Sequence, residues 1–198
     1  MNTNAMQRAD FAAIANWIKP RARVLDLGCG DGTLLRFLAD QRETIGYGVE
    51  IDDDGVLACA KNGVNVIQGN MERGLSAFAD GSFDYVILSQ TLQAVRSSER
   101  VVREMLRVGR EGIVTFPNFG YWRNRLQVIF GNMPVSENLP FSWFDTPNIH
   151  LCTITDFESF CSTHDVRIRE RIVMCDGRAV TFMPNLLGSL AVYRFERA

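Results

Sequence analysis

Residues 24 to 32, Val24-Leu25-Asp26-Leu27-Gly28-Cys29-Gly30-Asp31-Gly32, restrict the chain most, because an apolar strand runs directly into a loop with glycine at every second position. The backbone must turn sharply there, and Thr33-Leu34-Leu35-Arg36-Phe37-Leu38 then starts a helix with apolar residues at helical spacing. Residues without a Cβ let a ligand lie against the backbone, and the unpaired N–H groups of the loop and first helical turn face it as donors. A strand, glycine loop and helix in this order is the opening unit of a doubly wound nucleotide-binding sheet. A tight structural turn is the alternative reading.

The second apolar run, Ile45-Gly46-Tyr47-Gly48-Val49, closes on Glu50, 22 residues after Gly28. An acid at the end of the second strand can accept hydrogen bonds from both hydroxyls of a ribose. The glycine spacing then bears on the cofactor. Dinucleotide enzymes carry Gly-x-Gly-x-x-Gly over a pyrophosphate, whereas here Gly28, Gly30 and Gly32 alternate and Asp26 and Asp31 flank them. Carboxylates repel a pyrophosphate but suit a ligand with an ammonium and a sulfonium. This Asp-x-Gly-x-Gly-x-Gly stretch resembles the first motif of the class I S-adenosylmethionine-dependent methyltransferases, with a dehydrogenase as the competing reading.

A length of 198 residues suits one domain with a substantial core. The formal charge of −2 gives no electrostatic case for a polyanionic partner, so no nucleic acid is expected. Arg123 and Arg125 beside Tyr121 and Trp122 form a local basic cluster that suits contact with a phosphate; the plainer reading is a helix face packed on a partner or on the domain. The polar stretch Met1 to Asp10 lacks the apolar centre of a signal peptide and no apolar run reaches membrane-spanning length, so a cytoplasmic protein away from membranes is expected. The five cysteines lack the short paired spacing of a zinc site. Cys29, at a helix N-terminus, is a candidate reactive thiol; the plainer reading is a small residue filling a tight loop.

The periodicity predicts a first helix over Ala5 to Ile18 with Phe11, Ile14, Trp17 and Ile18 on one side, ended by Lys19-Pro20. A helix over Asp52 to Ala60 and a strand over Val64 to Gln68 follow, then a strand over Phe83 to Leu88. Ser97 or Ser98 can cap a helix whose apolar face is Val101, Val102, Met105, Leu106 and Val108, and Gly112 to Phe116 forms a fifth strand. Five βα units in succession imply a doubly wound parallel sheet. Later, Thr155-x-x-Glu158 reads as a capping box, and Val166 to Met174 and Leu190 to Phe195 as strands with Asp176-Gly177 between them. With the hairpin that ends the class I methyltransferase sheet, the expected architecture is α/β, Rossmann-like and seven-stranded, with an antiparallel last strand.

The stretch from Phe116 to Phe144 interrupts this alternation and holds eight of the twenty aromatic residues. It follows the fifth strand, at the carboxyl edge of the sheet where ligands bind. A lid over the cofactor, a docking surface for another protein and a packed subdomain are all consistent with it.

Several segments together resemble the MetW family of bacterial methionine-biosynthesis proteins: the glycine loop, Gly48 to Asp52, Phe83 to Gln93, Phe116-Pro117-Asn118-Phe119-Gly120-Tyr121-Trp122-Arg123, and Trp143 to Thr153. The first three are shared by many methyltransferases, the last two by far fewer proteins. The resemblance implies a methyltransferase fold across residues 1–198 with an aromatic insertion at about 117–150, and binding of S-adenosylmethionine or S-adenosylhomocysteine. It also implies work with homoserine O-acyltransferase, docked through residues 116–150. Carried over by position, Asp26, Gly28, Cys29, Gly30, Asp31 and Gly32 would hold the methionine moiety, Glu50 the ribose, and Asn70 with Met71 the adenine, with Ile51 and Ser89 completing the site. The family pattern has Asp where this chain has Asn70, whose carbonyl still accepts from an amino group but without charge.

No catalytic motif accompanies the site. The segment after the fourth strand reads Ser89-Gln90-Thr91-Leu92 rather than Asn-Pro-Pro-Tyr, and no Pro-Cys nucleophile is present. Methyl transfer depends largely on alignment, so this omission excludes nothing. Of the two histidines, His150 reads as a base or a structural hydrogen-bonding residue and His164 as a capping residue. The leading expectation is an accessory protein of the acyltransferase that responds to S-adenosylmethionine. The alternative is a methyltransferase acting on a small molecule, and a scaffold without ligand is the third reading.

Overall fold

A computed structural model describes residues 3–198, with side chains from Asp10 onward. The chain runs α1 (Thr3–Trp17), β1 (Arg23–Leu27), α2 (Thr33–Arg42), β2 (Ile45–Glu50), α3 (Asp53–Lys61), β3 (Asn65–Gln68), β4 (Phe83–Ser89), α4 (Ser98–Val108) and β5 (Gly109–Pro117). It continues through α5 (Trp122–Ile129), α6 (Ile154–Thr163), β6 (Val166–Cys175), β7 (Arg178–Ala179), α7 (Pro184–Leu187) and β8 (Leu190–Arg197). The sheet order is β3-β2-β1-β4-β5-β8-β6-β7. The first five strands pair in parallel, while β8 lies antiparallel between β5 and β6. This is an α/β Rossmann-like methyltransferase fold.

The sheet has eight strands rather than the expected seven. Asp176 and Gly177 both take positive φ, 49° and 73°, which turns the chain back so that Arg178 and Ala179 pair with Cys175 and Met174. The crossover from β3 to β4 also departs from a βα unit, since it holds only one 3₁₀ turn, Met71–Arg73.

Strand alternation sends side chains to two apolar layers. Leu25, Leu27, Val86, Leu88 and Phe116 pack with the faces of α4 and α6, whereas Val24, Ile87, Ile113 and Val192 pack with α1 and α2. Phe11, Ile14, Trp17 and Ile18 are all buried, as the periodicity of the first helix requires. In α4 the four residues Val101, Val102, Met105 and Val108 are buried against the sheet. Its start is capped differently from expectation. The Ser97 side chain makes no cap bond, and Glu72 Oε1 accepts from the Arg96 and Ser97 N–H groups instead. The capping box of α6 likewise lies two residues earlier, between Thr153 and Asp156. Thr155 Oγ1 instead accepts from Asn185 Nδ2, and Glu158 accepts from the Tyr193 hydroxyl and pairs with Arg171. Among the described residues no helix is long and apolar enough to cross a membrane.

Candidate functional site

All three loop glycines have left-handed backbone, with φ of 70° at Gly28, 55° at Gly30 and 76° at Gly32. Only there does the alternation of glycine become a conformational requirement. Gly28 N donates to Val49 O at 2.8 Å, tying the loop to the end of β2. A Cβ on Gly28 would lie 3.0 Å from Thr91 Cγ2 and 3.2 Å from Met71 Cε, so the loop is also closely approached from the β4 side.

Glu50 is organised by the loop it faces. Its Oε2 accepts from Gly30 N at 2.8 Å and its Oε1 from Ile51 N at 2.7 Å and Asp52 N at 2.9 Å. The carboxylate therefore has a fixed orientation and at least one acceptor direction to spare. Asp26 stands on the same side of the sheet as Val24, the side covered by α1 and α2. It is 2% exposed and its Oδ1 has no hydrogen-bond partner among the described residues. Burial, then the nearby Glu50 charge, pushes its pKa from 3.8 up to about 7.

The other expected residues fall around this pair. Asp31 is exposed, and its carboxylate accepts from Thr33 N at 3.0 Å, securing the start of α2. Asn70 Oδ1 accepts from Glu72 N at 2.9 Å, which aims the turn carrying Met71. Ile51 is 62% exposed beside Glu50, an uncovered apolar side chain of the kind that covers a flat ring. Ser89 ends β4, its hydroxyl 3.2 Å from Thr115 Oγ1 and its carbonyl accepting from Thr91 Oγ1 at 2.8 Å. Cys29 is not an activated thiol. Burial and the charges of Asp26 and Glu50 raise its pKa, and its Sγ lies 3.6 Å from Cys59 Sγ. The small residue beside it is required, since a Cβ on Gly48 would come within 2.3 Å of Cys29 Sγ.

Two features of the site escaped the sequence reading. Asp10, on α1, is 1% exposed, and burial lifts its carboxyl to about 6 against hydrogen bonds from Phe11 N and the Gln90 side chain. An acid four residues before the buried Ile14, on the apolar stripe of its helix, was the available signal. Gln90 itself holds φ at 50° just beyond β4. Such strain in a non-glycine residue collects at functional sites, but nothing in the sequence announces it.

The aromatic segment divides in two. Phe116 and Tyr121 are buried, whereas Phe130, Trp143 and Phe144 are 76%, 74% and 73% exposed. Asn118 joins the parts: its Nδ2 donates to Asn185 O and Gly188 O, and its Oδ1 accepts from Gly120 N and Ile154 N. His150 Nε2 lies 3.2 Å from Arg96 O, a structural contact, and His164 caps α6 with Nδ1 2.9 Å from Phe160 O.

Comparison with known proteins bears on the family and the fold. Residues 8–195 match the family described as methionine biosynthesis protein MetW. The chain is 38% identical over 202 residues to the bifunctional methionine biosynthesis protein MetXA/MetW of Rhodopirellula baltica, an alignment covering 95% of this chain and 32% of that one. The chain thus spans about a third of the length of that relative. Among solved structures, a Pyrococcus horikoshii protein matches with a TM-score of 0.71 at 20% identity, over 99% of this chain and 92% of that one. A Mesorhizobium loti S-adenosylmethionine-dependent methyltransferase matches with a TM-score of 0.70 at 14% identity, over 96% and 98%.

Proposed function

This chain belongs to the family of methionine biosynthesis protein MetW, and from that premise we propose that it holds S-adenosylmethionine or S-adenosylhomocysteine at the glycine loop and acts with homoserine O-acyltransferase to support homoserine acylation. The observation that carries the first half is the trio of buried carboxylates, Asp10, Asp26 and Glu50, with no buried lysine or arginine among the described residues. Buried charge without a partner is costly. A ligand bearing an ammonium and a sulfonium offsets that cost, whereas a pyrophosphate would add to it.

Residues Asp26 to Gly32, with Ser89, suit the methionine part, and the partnerless Asp26 Oδ1 is an acceptor for its ammonium. Glu50, already oriented by three backbone N–H groups, suits the ribose. Ile51, Asn70 and Met71 suit the adenine. When bound, S-adenosylmethionine carries a methyl group activated by its sulfonium; the chain's residues bind and orient it.

Support for the second half comes from the Rhodopirellula baltica relative, whose name joins MetXA and MetW in one chain. Fusion of two modules raises their effective concentration, an advantage when they work in contact. The exposed side chains Ile129, Phe130, Trp143 and Phe144 offer an apolar surface of the kind interface cores use. The test is co-purification with homoserine O-acyltransferase and acylation assays with and without this chain. A complex at micromolar concentration and faster acylation are expected. An acyltransferase equally active alone, with no complex, overturns the reading.

A further inference from the structure

An open cleft of about 620 Å³ lies between α4 and the crossover from β3 to β4, at the 3₁₀ turn that ends on Arg73. None of the glycine-loop residues, nor Asp26 or Glu50, lines it. Sites for small molecules span roughly 300–1,000 Å³, so the size is suitable. Four arginines face two glutamates in its walls, Arg73 coming from the crossover and Arg100, Arg103 and Arg107 from α4. Steps of three and four residues set those three along one stripe of the helix.

Both acids are already neutralised by an arginine of their own helix. Glu99 pairs with Arg103. Glu104 accepts from Arg107 Nε and Nη2 and from Leu75 N, and the Arg107 hydrogen bonds above all hold its carboxyl down at about 2. Arg107 is used up in turn, since it also donates to the Leu75 and Phe78 carbonyls and pairs with Asp80. Arg73 and Arg100 differ. Both are exposed, and neither makes an ion pair among the described residues. Arg100 is nevertheless held in place, because its Nη2 donates to Arg73 O at 3.3 Å, beside a turn that Gly74 makes with φ at 99°. Ser76 and Ser97 add two hydroxyls that make no hydrogen bond to the rest of the described chain. The cleft thus keeps two uncompensated guanidiniums and two free hydroxyl donors. A phosphoryl group, with a charge near −2 at neutral pH and three acceptor oxygens, matches both the charge and the fork geometry of that set. A single carboxylate matches one guanidinium and leaves the other unpaired.

We propose that this cleft binds a small phosphate ester, whose dianionic phosphoryl group is held between Arg73 and Arg100. The test is an amide-resolved NMR titration of the full chain, at low salt, with glycerol 3-phosphate, with inorganic phosphate and with uncharged glycerol. Glycerol 3-phosphate is expected to shift the Gly74, Ser76 and Arg100 signals, and glycerol to leave them in place. Arg73→Gln and Arg100→Gln should each weaken binding at least about tenfold, the scale of one hydrogen bond to a charged group. Both positions are exposed, so the fold should survive either change. Arg178→Gln removes an exposed arginine from the edge strand β7, outside the cleft, and should leave binding unchanged. Inorganic phosphate separates the two sources of the anion: binding of the ester at least as tightly as free phosphate supports the proposal, and binding of free phosphate alone overturns it. Unmoved signals at millimolar ester, equal shifts with glycerol, unchanged affinity in either cleft variant, or an equal loss in Arg178→Gln also overturns it. Neither an adenosyl compound nor the acyltransferase enters this experiment, so its outcome is separate from theirs.

Discussion

Asp26 and Asp10 have carboxyls whose pKa values burial raises to about 7 and about 6, so folding favours their protonated forms. The stability these groups contribute is complete below the ordinary value of 3.8 and is lost as pH climbs through about 6 and about 7. Ligand-free protein is therefore expected to melt higher at pH 5 than at pH 8, and Asp26→Asn should narrow that gap in thermal unfolding. Binding of a ligand through its ammonium runs the other way, because it needs the charged carboxylates. Affinity for S-adenosylhomocysteine by calorimetry should rise from pH 5 to pH 8, with Asp26→Asn flattening the rise and costing about tenfold at pH 8, the scale of one charge-assisted hydrogen bond. Glu50→Ala removes the ribose acceptor and frees three backbone N–H groups. It should weaken the same affinity by at least about tenfold. Unchanged affinity in both variants would remove these acids from the site.

The narrow motif around Phe116 to Arg123 owes its composition to an element junction. Asn118 is fully buried, and its side chain makes four hydrogen bonds, one within its own turn and three that join the end of β5 to α6, to α7 and to the residue after α7. Asn118→Ala leaves buried partners unpaired and should destabilise the fold by roughly 2–4 kcal/mol in denaturant unfolding; a loss within error would show the junction to be slack. The β1–loop–α2 unit was legible because glycine at positive φ, apolar runs and helical spacing are all local signals. The cap of α4 was not, because its acceptor is Glu72, more than twenty residues upstream. The box of α6 was misplaced by two residues since Thr155 and Glu158 match the same pattern, and only their contacts with Asn185, Arg171 and Tyr193 show where they are used. The strand β7 was missed because two residues carry no periodicity. In the candidate site, the loop and Glu50 could be read from spacing, while the approach of α1 through Asp10 is tertiary.

Across the whole molecule the apolar surface is unevenly spread, with Ile129, Phe130, Trp143 and Phe144 each more than 70% exposed. These side chains contribute little to the core, so Phe130→Ser with Trp143→Ser should leave the melting temperature within a few degrees. The same pair should weaken any complex with homoserine O-acyltransferase at least tenfold in a pull-down or calorimetric titration, as loss of aromatic anchors does. Retained binding would place the contact elsewhere. The position of β8 has a consequence of another kind. Residues 190–197 fill the gap between β5 and β6, both of which precede them in the chain. A ribosome must therefore translate through residue 197 and release it from the exit tunnel before the sheet can join, and until then the growing polypeptide displays two unzipped edges that chaperones would recognise.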